Sequence, residues 1–237
     1  DAGPHPPAVD RCLRRLGVRA VPIVLLSHLH ADHVAGLPGV LRGRRVGVVQ
    51  VGPSGEPPEQ RERVEQWAAQ AGVPLALPGL GEVRSAGGVR WTVLSPARTY
   101  RGTRSDPNNA SLVLRVEVAG LRILLTGDVE PEAQADLVER GVDLRADILK
   151  TPHHGSAHQD PAFLSAVDAR VVLTSVGAGN TYGHPSSLTL GLLVAEGALS
   201  FRTDLDGDVA VGVRGSRLTV VGSQGSGPGA GPARASP

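Results

Sequence analysis

The chain has 237 residues, 41% of them hydrophobic and 20% charged, with a net charge of +1 at neutral pH. This length buries a sizeable core as one large α/β domain or two small ones, and the even charge balance excludes a generally basic surface, so a polyanion would be met by local patches or metals. A single cysteine, Cys12, excludes a disulfide framework and thiolate metal sites, while no apolar run reaches membrane-span length and no leader pattern is visible. Of the basic residues 23 are arginine, and Lys150 is the only lysine. Methionine is absent even at position 1, so the chain is expected to be a piece of a longer protein.

Pro6 to Leu16 reads as a short helix with Val9, Cys12, Leu13 and Leu16 on one face and Gly17 as its stop, making Cys12 a small core residue. Val21 to Ser27 is a buried strand that leads into His28-Leu29-His30-Ala31-Asp32-His33. Four metal-binding side chains within six residues, directly after a buried strand, suit a cation site at the mouth of a sheet. A helix over Val34 to Leu41, a strand over Arg45 to Val51 and a turn-rich break at Pro53 to Pro58 follow. Glu59 to Ala71 forms a polar surface helix with Val64, Trp67 and Ala68 inward. Short strands come near Leu75, Val83 and Val89 to Leu94, then a polar loop from Ser95 to Asn109.

Ser111 to Val118 alternates as a half-buried strand and forms a hairpin with Leu121 to Leu125 through Ala119-Gly120. The hairpin ends in Thr126-Gly127-Asp128, a carboxylate placed to bridge two cations; its alternative reading is an N-cap for a helix starting at Val129. A helix over Pro131 to Arg140 and a strand over Ala146 to Leu149 lead to Lys150-Thr151-Pro152-His153-His154-Gly155-Ser156. Two adjacent histidines do not easily face one metal, so one ligates while the other donates a proton or bonds a phosphate oxygen. After a helix at Pro161 to Val167 and a strand at Arg170 to Ser175, Gly183-His184-Pro185-Ser186 brings a further ligand-bearing loop. A helix at Ser187 to Ala195 and strands at Val209 to Val213 and Arg217 to Val221 close the domain, and 222–237 reads as a linker or disordered tail. His158 reads as a surface residue and His5 is assigned nothing.

Imidazoles and carboxylates without thiolates suit Zn²⁺, Mn²⁺ or Fe²⁺. His28, His30, Asp32, His33, Asp128, His184 and one of His153 or His154 are enough for two divalent ions. Such a pair, about 3.5–4 Å apart, activates water and clamps the attacking and leaving oxygens of a phosphodiester. No glycine-rich phosphate loop or nucleophile elbow is present, so hydrolysis by metal-bound hydroxide is the economical mechanism. Asp32, Asp128, His153, His154 and Lys150 form the candidate catalytic set, with Lys150 stabilising phosphate charge. Around Tyr100, Arg98, Arg101 and Arg104 suit a single-strand contact, guanidiniums on phosphates and the ring on a base; the alternative is a solvated basic loop.

The His28–His33 motif, Thr126-Gly127-Asp128 and His184 together resemble the metallo-β-lactamase fold. Ser27 to Leu37, Asn108 to Leu114, Lys150 to Ser156, Gly183 to Ser186, and Arg202-Thr203-Asp204 with Gly207-Asp208 more narrowly resemble the C-terminal hydrolase domain of ComEC-type DNA-internalisation competence proteins. The resemblance implies an α/β, αβ/βα four-layer sandwich over residues 1–221, lacking the first strands that precede Asp1-Ala2-Gly3 in the family and so exposing a sheet edge. It implies a nuclease that degrades the non-transported strand of incoming single-stranded DNA, attached to a membrane channel in the same protein, on the extracytoplasmic side of a bacterial plasma membrane. Asn109 and Ser156 join the arginine loop as expected substrate contacts. Many two-metal members carry a histidine where Asn108-Asn109 stands, leaving the first metal an imidazole short unless His153 or His154 compensates or the site prefers Mn²⁺. The alternatives are hydrolysis of another ester, such as a cell-wall phosphodiester or a lactam, and a non-catalytic DNA-guiding domain with structural metals.

Overall fold

The computed structural model describes residues 1–214 and 217–224, so the expected tail lies outside the described residues beyond a turn at Ser223 and Gln224. Its first half is a parallel sheet of order β1-β2-β3, built from β1 (Ala20–Leu26), β2 (Arg45–Val51) and β3 (Leu75–Ala76). β1 is apolar throughout because both faces are used: Val24 and Leu26 point to an outer helical layer, Ile23 and Leu25 to the second sheet. The outer layer holds α1 (Pro6–Arg15), α2 (Ala31–Val34), α3 (Leu37–Leu41) and α4 (Pro58–Gln70).

The sequence predicts one helix from Val34 to Leu41; the structure breaks it at Ala35 and Gly36. The Ala2 N–H donates to the His33 carbonyl at 2.7 Å and the Gly36 N–H to the Gly3 carbonyl at 2.7 Å, so the chain start is stitched into the gap. A Cβ on Gly36 would lie 2.1 Å from the Ala2 oxygen. Cys12 is exposed, contrary to expectation, as is Leu16. α1 crosses α3 so closely that a Cβ on Gly39 would meet the Pro6 oxygen at 2.1 Å, and only Val9 and Leu13 reach the core.

The second sheet has seven strands in the order β10-β9-β8-β7-β6-β5-β4. β4 (Val83–Ala86), β5 (Val89–Ser95), β6 (Val113–Val118) and β7 (Leu121–Leu125) form an antiparallel meander; β8 (Ile148–Lys150), β9 (Val171–Thr174) and β10 (Leu199–Arg202) continue parallel to β7. A one-turn helix, α5 (Asp106–Asn109), interrupts the expected loop before β6, with the Ser105 hydroxyl accepting from the Asn108 N–H. α6 (Pro131–Glu139), α7 (Pro161–Val167) and α8 (Ser187–Ala195) cover the outer face around Phe163, Leu137 and Leu149. On the inner face Trp91, Val93, Leu112 and Leu114 pack on Ile23 and Leu25. The remaining inner surface, Ile148, Val171 and Phe201, lies under the hairpin of β11 (Val209–Arg214) and β12 (Arg217–Gly222), reached through α9 (Thr203–Asp206). Helices, sheet, sheet and helices thus form the four-layer αβ/βα sandwich. Among the described residues no helix is long and apolar enough to cross a membrane.

Candidate metal centre

The loops after β1, β7 and β8 leave the same end of the two sheets and converge, the usual place for a site in parallel α/β layers. Asp32, His33, Asp128 and His154 each offer a ligand atom, all within 4.8 Å of one another. His33 Nε2 lies 3.1 Å from Asp128 Oδ2 and 3.4 Å from Asp32 Oδ2. His154 Nε2 lies 3.1 Å from Asp32 Oδ2, 3.2 Å from Asp128 Oδ2 and 3.2 Å from His33 Nε2. Beside this group His28 Nε2 faces His30 Nδ1 at 3.0 Å, and the His28 and His33 ring centroids are 4.2 Å apart.

The outward nitrogens decide what faces inward. His33 Nδ1 sits 3.0 Å from Asp1 Oδ2, and His154 Nδ1 2.7 Å from the Ser175 carbonyl. Carboxylate and carbonyl oxygens only accept, so both rings donate from Nδ1 and turn a bare Nε2 lone pair inward when neutral. His28 Nδ1 meets the Ser27 and Ser111 hydroxyls at 3.1 and 3.2 Å. Ser27 spends its own proton on Asp1 Oδ2, at 3.1 Å, and therefore accepts from His28, which leaves His28 Nε2 bare too. The cluster is a set of acceptors pointing at one another around the buried His33 and Asp128, which demands either protons or a cation.

Charge follows the same logic. Burial would raise the Asp128 pKa, but the Lys150 charge and hydrogen bonds from His154 and His33 hold it well below the usual carboxylate range. Burial opposes a charged His154, yet bonds to Asp128 and Asp32 outweigh it and lift the pKa to about 9. His28, buried beside other imidazoles, is pushed well down. The donor set, imidazole and carboxylate with neutral His28 and ionised Asp128, fits borderline divalent ions.

Other predicted residues occupy different places. Lys150 Nζ donates to the Gly127 carbonyl at 2.8 Å and the Thr151 carbonyl at 3.2 Å and reaches Asp128 Oδ1 at 3.4 Å, anchoring that carboxylate so that Oδ2 faces the cluster. His184 lies outside the four-donor group; its ring centroid is 5.3 Å from that of His153. His153 Nδ1 approaches Glu130 Oε1 at 3.1 Å but off the hydrogen-bond line, and Glu130 Oε2 is buried without a partner.

Asn109 is buried and its amide is fully engaged. Oδ1 accepts from the Glu130 and Ala133 N–H groups at the start of α6, and Nδ2 donates to Thr103 and Glu132. Ser156 is a buried turn residue whose carbonyl accepts from Thr189 at 2.5 Å and whose hydroxyl accepts from the His158 N–H at 3.3 Å. The predicted base-stacking role of Tyr100 fails: its ring is buried in the core, its hydroxyl donates to Asp136 at 2.7 Å, and Arg98 is held over the ring by the same Asp136. Arg101 and Arg104 stay exposed, and the Arg104 charge helps lower the Glu130 pKa, after the larger effects of burial, which opposes it, and of His153 and Asn108. Asp1 and Glu130 belong to none of the motifs legible in the sequence; an acidic residue in the Asp1-Ala2-Gly3 turn was the available signal for the first.

A family model described as the metallo-beta-lactamase superfamily matches residues 1–162. ComE operon protein 3 of Bacillus subtilis (strain 168) is 30% identical over 196 residues, 81% of this chain and 25% of that protein. Competence protein ComA of Neisseria gonorrhoeae is 30% identical over 215 residues, 88% of this chain and 28% of that protein. The chain thus spans about a quarter of the length of these relatives. Among solved structures, the diiron beta-hydroxylase CmlA of Streptomyces venezuelae aligns with a TM-score of 0.51 at 14% identity, over 78% of this chain and 44% of that one, a likeness of fold alone. With its motifs, layers and converging donors in agreement with that model, the chain belongs to the metallo-beta-lactamase superfamily.

Proposed function

We propose that this domain is a metal-dependent phosphodiesterase acting on single-stranded DNA, the nuclease of a longer competence protein that degrades the non-transported strand outside the bacterial plasma membrane. The observation that carries the reading is the four-donor cluster of Asp32, His33, Asp128 and His154, assembled from three distant segments. The competence relative favours phosphodiester hydrolysis over other uses of the fold, and imidazole and carboxylate donors suit the divalent ions that such hydrolysis uses.

Asp32, His33, Asp128 and His154 would hold one divalent ion, and His28 with His30 a second. Bound divalent ions supply Lewis acidity toward phosphoryl oxygens and make water acidic enough to attack near neutral pH. Asp1, Ser27, Ser111 and the Ser175 carbonyl fix the imidazole tautomers, and Lys150 fixes Asp128. His153, at the rim between His154 and His184, is the side chain left to bond a phosphate oxygen or protonate the departing oxygen. Arg101 and Arg104 remain exposed to meet the strand's phosphates.

The test is elemental analysis of purified protein, then turnover of single-stranded DNA, bis-p-nitrophenyl phosphate and nitrocefin with Mn²⁺ or Zn²⁺ added back. DNA and the phosphodiester are expected to be cleaved and nitrocefin spared, with cleavage lost in Asp128→Ala. Stoichiometric metal with DNA retention and no product would instead support the DNA-guiding alternative.

A further inference from the structure

Seven arginines gather at the end of the first sheet opposite the metal centre: Arg11, Arg14 and Arg15 on α1, Arg19 before β1, Arg42 after α3, and Arg44 and Arg45 where β2 begins. Strand register brings them together. β1 and β2 run parallel with Ala20 opposite Arg45, and the Arg45 N–H donates to the Arg19 carbonyl at 3.1 Å. The chain as a whole carries only +1, yet no carboxylate occurs between Asp10 and Asp32 or between Asp32 and Glu56.

Among the described residues two carboxylates reach the group, and both are taken. Asp10 is buried and accepts from Arg14 Nε at 3.1 Å and Arg44 Nη1 at 2.9 Å; Asp208 meets Arg15 at 3.2 Å. Arg44 is structural, its buried guanidinium also donating to the Val18, Gly39, Arg42 and Asp10 carbonyls. Arg11, Arg19, Arg42 and Arg45 are exposed, and their side chains make no hydrogen bond or ion pair among the described residues. Arg14, Arg19, Arg42 and Arg44 line a concavity of about 400 Å³, completed by Gly17, Val18 and Gly43. Guanidiniums held together with so little countercharge repel one another, and a polyanion relieves that repulsion.

We propose that this concavity is a second nucleic-acid contact, which grips the phosphate backbone of a single DNA strand away from the metal centre. The planar guanidinium fork matches phosphate oxygens in pairs. The lining contains no aromatic ring, so the contact is to phosphates and independent of base sequence. A concave lining suits a strand lying in a groove better than a flat headgroup surface. β1 separates this end from His28 by seven residues, roughly 20 Å at about 3.3 Å per residue, a span a short oligonucleotide can bridge. The choice of DNA as the polyanion rests on the proposed function, but the contact itself needs no metal.

Binding of labelled oligo-dT measured by fluorescence anisotropy in chelator separates this contact from hydrolysis. In Arg19→Glu/Arg42→Glu the affinity should fall at least tenfold, and the slope of log affinity against log salt should shrink by about 1.4, near 0.7 for each single-strand phosphate that is no longer neutralised. Arg63→Glu/Arg145→Glu, an equal charge change at exposed arginines elsewhere, should bind nearly as the parent does. Arg19→Gln/Arg42→Gln provides a milder version, and circular dichroism checks that each variant folds. Parent-like binding by the patch variants, equal loss in the control pair, or patch-dependent capture by anionic vesicles without oligonucleotide binding would overturn the proposal. If the patch variants lose binding while Asp128→Ala cleaves normally, the metal-centre reading fails and this one stands.

Discussion

Asp1 shows how much of the centre depends on a side chain that holds no ion position itself. Its Oδ1 accepts from the Ser27 N–H at 2.7 Å, and its Oδ2 takes protons from the Ser27 hydroxyl and His33 Nδ1. One carboxylate therefore sets the ring orientation of His33 and, through Ser27, the tautomer of His28. Replacing it by asparagine keeps the shape but offers an N–H where an acceptor is required, or halves the acceptors if the amide flips. Outer partners of ligating histidines are commonly worth 10–100-fold in metal affinity. We expect Asp1→Asn to weaken divalent-ion binding by about that factor in a chelator competition, with little change in the circular dichroism spectrum. Parent-like affinity would show that His33 is oriented without Asp1.

At the scale of elements, the turn that leads from β7 to its ligand is crowded by serine side chains. Gly127, between β7 and Asp128, has φ +54°, and a Cβ there would lie 2.7 Å from Ser111 Cβ and 2.8 Å from Ser27 Cβ. Both serines touch His28, so Gly127→Ala pushes on the pins of the centre as well as straining the backbone. A destabilisation of about 1–3 kcal/mol is expected from overpacking, read by denaturant melts, together with lost metal in elemental analysis. Loss of stability with full metal content would separate the turn from the site. The strands themselves were legible because β1, β7 and β8 are mostly apolar runs, each followed within two to four residues by a potential ligand, His28, Asp128 or His154. β10 and the one-turn helices α5 and α9 were not, since a few residues carry no period and are defined by neighbours. Nor could spacing decide between His153 and His154. Both have left-handed backbone, φ 45° and 51°, and that local twist points His154 into the cluster and leaves His153 beside Glu130 and His184. The arginine loop misled for a similar reason: Tyr100 finds its partner, Asp136, 36 residues away on α6.

For the molecule as a whole, the donor cluster couples folding to pH with opposite signs in the presence and absence of metal. Without an ion, the facing acceptors are reconciled by protons, and His154 carries one with its pKa raised from the ordinary 6.5 to about 9. The folded chain then binds more protons than the unfolded chain across that interval. The stabilisation is complete below pH 6.5 and is lost as pH rises through about 9. A divalent ion needs the same imidazole neutral, so its binding displaces the proton and strengthens as pH rises. Urea melts in chelator should show the midpoint falling from pH 6.5 to about 9, on top of whatever other groups contribute. Saturating Mn²⁺ or Zn²⁺ should flatten or reverse that fall. In His154→Gln the fall in chelator should shrink, because the titrating ring is gone. An identical decline with and without metal would mean that the ion does not sit among Asp32, His33, Asp128 and His154, since only displacement of a proton at that point joins the two layers' ligand loops to the stability of the fold.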